Sequence, residues 1–255
     1  MSAGAVVGGA PSERRPGALA GQTVVVIGGS SGIGLETARQ ARSEGANVVL
    51  VGRNQERLEH AAREIGAQSS AAFDATDFER LDRFFDELPT TINHIMVTSG
   101  GPYYARLADM DFARARHNVE AELWLPLHIA RRAAGKVRPG GTLLFIGGTG
   151  GRRPEAGTLI AAFTAAMPAL TKALAVELAP VRVNLIAAGF VDTPLSASLL
   201  GDQLEARREQ LRTTLPIRRV VGPADIAALA VHLMINTAAT GATYDIDGGQ
   251  QLVEG

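Results

Sequence analysis

Near the start of the chain Gly28-Gly29-Ser30-Ser31-Gly32-Ile33-Gly34 sets four glycines and two hydroxyls within seven residues. Glycine lets a backbone turn tightly, lets N–H groups approach a diphosphate, and lets a helix pack close to the preceding strand. In isolation such a run is no more than a glycine-rich turn. Here it follows an apolar stretch and opens a helical pattern, the context that dinucleotide binding requires. A second apolar stretch ends Val51-Gly52-Arg53-Asn54. An acid at that tip would hold the ribose 2′-hydroxyl of NAD and repel a 2′-phosphate. Gly52 stands there instead, and Arg53 adds a planar donor fork suited to phosphate, so NADP(H) is favoured over NAD(H).

Other chemistry is sparse. The chain has no cysteine, which excludes thiolate catalysis, disulfides and Cys-ligated metal. Tyr103 and Tyr104 follow Gly100-Gly101-Pro102, while Arg152, Arg153 and Glu155 follow a later apolar stretch. A tyrosine there is a candidate proton donor and an arginine a candidate alkoxide stabiliser, against the plainer reading of loop aromatics and solvated charges. His60, His94, His117, His128 and His232 show no ligand spacing, and no metal is expected.

These residues need elements to hold them. Strands are expected over 23–28, 47–51, 70–73, 94–98, 142–146, 182–186 and 242–246. Their near-continuous Val, Ile and Leu content suits a sheet buried on both faces. Helical periodicity fills 34–44, 55–65, 78–87, 111–134, 159–178 and 223–234. The alternation predicts an α/β fold, a single-domain doubly wound parallel sheet with a Rossmann-like arrangement of about seven strands. The length of 255 residues, 46% hydrophobic content and net charge of −1 fit one such domain and point to no nucleic-acid or anionic-membrane partner. Residues 1–21 read as a flexible lead-in before a domain over 22–255. They lack a signal-peptide pattern, and no apolar run reaches the ~20 residues of a membrane span, so a cytoplasmic protein is expected.

The ordered set of motifs resembles the short-chain dehydrogenase/reductase family over about residues 22–252. Ile27-Gly28 through Gly34 is similar to the family's Thr-Gly-x-x-x-Gly-x-Gly, with Ile in place of Thr. Leu170-Thr171-Lys172-Ala173-Leu174-Ala175-Val176-Glu177-Leu178, Ala188-Gly189-Phe190-Val191-Asp192-Thr193 and Asp247-Gly248-Gly249 are further matches. The resemblance implies a cofactor site drawing on Gly28, Ser30, Ser31, Gly32, Ile33, Gly34, Arg53, Asn54, Asp74, Ala75, Ser99, Gly100, Gly101, Gly189, Val191 and Thr193. It implies a small carbonyl or alcohol as substrate and a homotetramer, or failing that a homodimer, through the helices around Trp124 and Leu170–Leu178.

The catalytic pattern is broken. The family protonates the alkoxide from a tyrosine whose pKa a lysine lowers. The only lysines are Lys136 and Lys172, and Arg132 and Pro168 stand four residues before them. Gapless registration puts Ile160 at the tyrosine position, Thr164 at the lysine position and Gly148 at the serine position, with a one-residue slip open in the loop. A positioned acid is worth about 10²–10⁴ in rate and an oxyanion donor about 10²–10³, so the usual mechanism cannot operate. Pro168 is expected to kink its helix. Asn118 is the surviving member of the tetrad, and Asn118, Tyr103, Tyr104 and Arg152 are the catalytic candidates. Three readings stay open: an oxidoreductase with a substituted acid, a non-catalytic NADP(H)-binding sensor or partner subunit, and chemistry without hydride transfer.

Overall fold

The computed structural model describes residues 17–89 and 91–253. Seven strands, β1 (Thr23–Ile27), β2 (Asn47–Gly52), β3 (Ser69–Ala72), β4 (Ile92–Val97), β5 (Val137–Gly148), β6 (Arg182–Ala188) and β7 (Thr243–Ile246), form one parallel sheet in the order β3-β2-β1-β4-β5-β6-β7. The chain departs in one direction from β1 through β2 to β3. It then returns across β1 to lay down β4, so the strand order reverses between β1 and β4.

Helices α1 (Gly32–Ser43), α2 (Gln55–Ile65), α3 (Phe78–Glu87), α4 (Phe112–Val119), α5 (Leu125–Lys136), α6 (Thr158–Glu177), α7 (Pro194–Leu200), α8 (Leu204–Thr214), α9 (Pro223–Ile235) and α10 (Gln250–Val253) complete the described chain. Side chains alternate across a strand, and the two cores follow that alternation. Val25 and Ile27 of β1 join Val49 and Val51 of β2 in a core closed by α3, α5 and α6. Val24 and Val26 join Val48 and Leu50 in the opposite core, closed by α1, α2 and α9. Both faces are covered, which is why the strands read as continuous apolar runs.

Several expectations need correction. Residues 17–21 are not a loose lead-in: Leu19 is fully buried, and its N–H donates to Glu44 O at 3.0 Å. Residues 1–16 lie outside the described residues. The single helix expected over 111–134 is split by a π-helical turn, Glu120–Trp124. Pro126 supplies the cause: it has no N–H for the carbonyl of Glu122, four residues back, and a widened turn accommodates the missing bond. Asp111 caps α4 by accepting from Ala113 N and Arg114 N. α7 and α8 went unforeseen. The helix of α6 continues through Pro168, and a window of it has a mean hydropathy of 1.7, so by length and composition it does reach a membrane span. Its inner face, Phe163, Met167, Thr171 and Leu174, is buried in the domain, while Val176 on its outer face is 79% exposed.

Candidate active site

The glycine loop lies where the strand order reverses, the place where open α/β sheets bind ligands. Gly28 has φ +96°, and a Cβ there would lie 2.4 Å from Thr98 Oγ1 and 2.8 Å from Ser99 N. At Gly34 a Cβ would lie 2.3 Å from Gly28 O. The loop is therefore pressed onto the end of β4, with Thr98 Oγ1 donating to the carbonyls of Ile27 and Gly28 at 3.2 and 3.1 Å. Ser31 is the N-cap of α1 but makes no side-chain cap, so the first turn presents its N–H groups outward. Gly32 opens this turn with Thr193 about 3.5 Å from the position its Cβ would take. A cradle that only glycine fits, at an uncapped helix N-terminus, fits the diphosphate of a dinucleotide.

At the tip of β2, a Cβ on Gly52 would lie 3.1 Å from Ser30 Oγ, leaving little room for an acid there. Arg53 is exposed, with Nη1 at 4.0 Å from Asp74 Oδ2. Burial pushes the Asp74 carboxyl up, but hydrogen bonds from Thr76 N (3.0 Å) and Oγ1 (2.7 Å), with the Arg53 charge, hold it below its ordinary value. Asn54 caps α2, its Oδ1 accepting from Arg57 N at 2.8 Å. Ala75 is buried beside Asp74. Gly189 is held from the other side: its Cβ position is 2.6 Å from Asp247 Cβ, and Gln250 Oε1 accepts from Phe190 N. Val191 pairs with Val221, and Thr193 caps α7 reciprocally with Ser196.

Beyond the cradle, at the C-terminal ends of β5 and β6, a narrow cavity of about 30 Å³ opens between the sheet and α6. Its walls include Gly148, Ile160 and Thr164, where gapless registration is expected to set the family's serine, tyrosine and lysine, together with Phe163, Met167, Pro168 and Leu185. Gly151 seals one corner, a Cβ there falling 2.4 Å from Ile160 O and Thr164 Oγ1. Arg152 lines the pocket, but its guanidinium is held bidentately by Asp245, both contacts at 2.6 Å. Tyr103 does not line it. The Tyr103 hydroxyl accepts from Asp111 N at 2.9 Å, and Arg114 lies over its ring. Tyr104, half exposed, reaches over Gly150; burial raises its pKa, against Arg153 and aided by Glu122.

The remaining ionisable wall is Glu122, which no motif in the sequence marks. Its Oε1 accepts from Gly101 N at 3.1 Å, while Asn118 Nδ2 donates to Gly101 O at 2.8 Å. Two side chains four apart in sequence thus clamp both polar groups of one peptide residue after β4. The clamp excludes a side chain at Gly100, where φ is +113° and a Cβ would lie 2.8 Å from Glu122 Oε1. Asn118 Oδ1 is buried and accepts no hydrogen bond among the described residues. Burial pushes the Glu122 carboxyl above its usual range, against the Gly101 hydrogen bond that lowers it. The available signal was Glu122 four residues after Asn118 and four before Pro126.

A doubly wound sheet with a glycine cradle at its switch point defines a dinucleotide-binding α/β protein. The family described as enoyl-(acyl carrier protein) reductase matches residues 27–251. The galactitol 2-dehydrogenase (L-tagatose-forming) of Cereibacter sphaeroides is 34% identical, covering 91% of this chain and 95% of its own. The MalC reductase/Diels-Alderase of Malbranchea aurantiaca superposes with a TM-score of 0.85 at 25% identity, over 92% of this chain and 98% of that one. A small-chain dehydrogenase solved with NADPH gives 0.78 at 29% identity, over 91% and 99%. The chain belongs to the short-chain dehydrogenase/reductase family of oxidoreductases.

Proposed function

We propose that this protein is an NADP(H)-dependent oxidoreductase that exchanges hydride with a small apolar carbonyl or alcohol in the pocket between β5, β6 and α6. The observation that carries this is the glycine cradle at the uncapped N-terminus of α1, with Arg53 rather than an acid beside it. The dinucleotide, when bound, supplies or accepts the hydride. The first-turn N–H groups of α1 hold its diphosphate, and Arg53 pairs with a 2′-phosphate. Phe163, Met167 and Leu185 exclude water around the substrate and favour an apolar one. The NADPH complex of a relative at 29% identity accords with the cofactor choice.

The test is a fluorescence or calorimetric titration with NADPH and NADH. Tight NADPH binding with weaker NADH binding is expected, and no binding of either overturns the assignment. A second reading, a cofactor-binding sensor or partner subunit, draws on Gly148, Ile160 and Thr164, whose side chains include no ionisable group. Stoichiometric NADPH oxidation by a carbonyl rules it out. For assembly we propose a homotetramer in which the outer face of α6 and the half-exposed Trp124 pack between copies. Sedimentation of Val176→Glu as a smaller species than the wild type is the expected outcome.

A further inference from the structure

We infer that Glu122 is the proton-exchanging acid of this site, a carboxyl set on the π-helical turn, held by Gly101 N–H, and facing the pocket walled by Ile160 and Thr164. The inference rests on the NADP(H)-dependent reading above and names the residue that replaces the family's tyrosine.

Three observations converge. The first is position: Glu122 and Gly148 line one pocket at the C-terminal edge of the sheet, and Glu122 is the carboxyl of that lining. The second is the hold. Gly101 N donates to one carboxyl oxygen at 3.1 Å, which fixes the group and leaves the other oxygen able to carry a proton. The third is the surrounding charge. α6 offers the pocket Ile160, Phe163, Thr164, Met167 and Pro168, none of them charged. Arg152 shares the pocket, but Asp245 takes both prongs of its fork. Tyr104 adds no charge while protonated, and the Arg153 charge acts on the Tyr104 hydroxyl, whereas the influences on Glu122 are its burial and the Gly101 hydrogen bond. Burial outweighs the Gly101 hydrogen bond, so this carboxyl keeps its proton to higher pH than an exposed glutamate does, the direction a general acid needs.

In reduction, the carbonyl carbon gains a hydride from the reduced nicotinamide dinucleotide and the C=O π pair moves to oxygen. The O–H bond of the Glu122 carboxyl breaks, and its proton completes the alcohol. The carboxylate left behind takes a proton from water at the pocket mouth, and oxidation runs the same steps in reverse. Tyr104, whose pKa is raised rather than lowered, is a poorer donor at neutral pH than the family's tyrosine.

The experiment uses the full chain and compares wild type, Glu122→Gln and Tyr104→Phe. Gln keeps the shape of Glu and can still accept from Gly101 N–H. NADPH titration comes first: failure of the wild type to bind overturns the cofactor reading on which the inference rests. Infrared difference spectra of the cofactor-free protein across a pH titration then follow protonated carboxyl bands. We expect a band that persists above the ordinary glutamate range in wild type and is missing from Glu122→Gln. With 1-phenylpropane-1,2-dione as probe, NADPH oxidation is expected to fall about 10²–10⁴-fold in Glu122→Gln, with NADPH affinity kept and the basic limb of the pH profile lost. Tyr104→Phe should change the rate less than tenfold. Absence of the band overturns the inference. So does NADPH binding without oxidation by the dione, or undiminished oxidation in Glu122→Gln.

Discussion

Gly34 shows how little tolerance the cradle has. A methyl there would meet Gly28 O at 2.3 Å and Thr98 Oγ1 at 2.6 Å, and the backbone oxygen cannot rotate away. Gly34→Ala is expected to cost about 1–3 kcal/mol through overpacking and to weaken NADPH binding as the loop is pushed off β4. A thermal melt and an NADPH titration on the same variant check both effects. Arg53 makes a different prediction because it touches little protein. A hydrogen bond to a charged group is worth about 1.5–3 kcal/mol, and exposure puts this one at the low end. Arg53→Ala should therefore weaken NADPH about tenfold while leaving NADH within about twofold, read by parallel titrations.

At the scale of elements, the π-helical turn ties Pro126 to the pocket. Pro126→Ala restores an N–H for the Glu122 carbonyl, so the turn should relax toward an α-helix and rotate the Glu122 side chain from its place. Dione reduction should drop at least tenfold while the melting temperature stays equal or rises. A rate unchanged in that variant would show that the turn does not position Glu122. Arg182 binds elements rather than substrate. From β6 it donates to Leu233 O at 2.7 Å, Met234 O at 2.9 Å and Ala239 O at 3.1 Å, satisfying carbonyls at and beyond the end of α9. Arg182→Met leaves these acceptors buried, and a loss of about 3 kcal/mol, or roughly 6–12 °C in Tm, is expected by calorimetry.

The whole molecule carries an acid-sensitive joint at His94. The ring lies within the sheet, with Nδ1 at 2.8 Å from Thr142 Oγ1 on β5 and Nε2 at 2.8 Å from Gln22 Oε1 before β1. Burial, then the charges of Arg182 and Arg138, lower its pKa from 6.5 to about 3. Between those values the unfolded chain binds a proton that the folded chain refuses, so stability is complete above about 6.5 and declines as pH falls toward 3. The loss at the acid end is on the order of 4–5 kcal/mol. Urea midpoints from pH 7 to 4 should fall steeply in wild type and less steeply in His94→Asn. Equal slopes would show that His94 does not govern acid stability.

The sequence by itself determined the sheet, the glycine cradle and the absence of a Tyr-x-x-x-Lys motif. Each is written locally: buried parallel strands need unbroken apolar runs, a close backbone approach needs glycine, and an absent Tyr-x-x-x-Lys is absent by inspection. α8 escaped because it buries only Leu211 among its eleven residues and so carries no apolar stripe. The 17–21 segment escaped because Leu19 is its one buried residue, and its hydrogen-bond partners, Glu44 and Gly45, lie past the far end of α1. The pocket was decided only by tertiary structure. Arg152 and Tyr103 look available in sequence, but Asp245 and Asp111 N engage them across the fold. Glu122 looks like a solvated helix residue until the turn before Pro126, the Gly101 loop and the apolar face of α6 meet around it. A carboxyl becomes a candidate acid through what surrounds it, and that environment is assembled from β4, β5, β6 and α6 rather than from its neighbours in the chain.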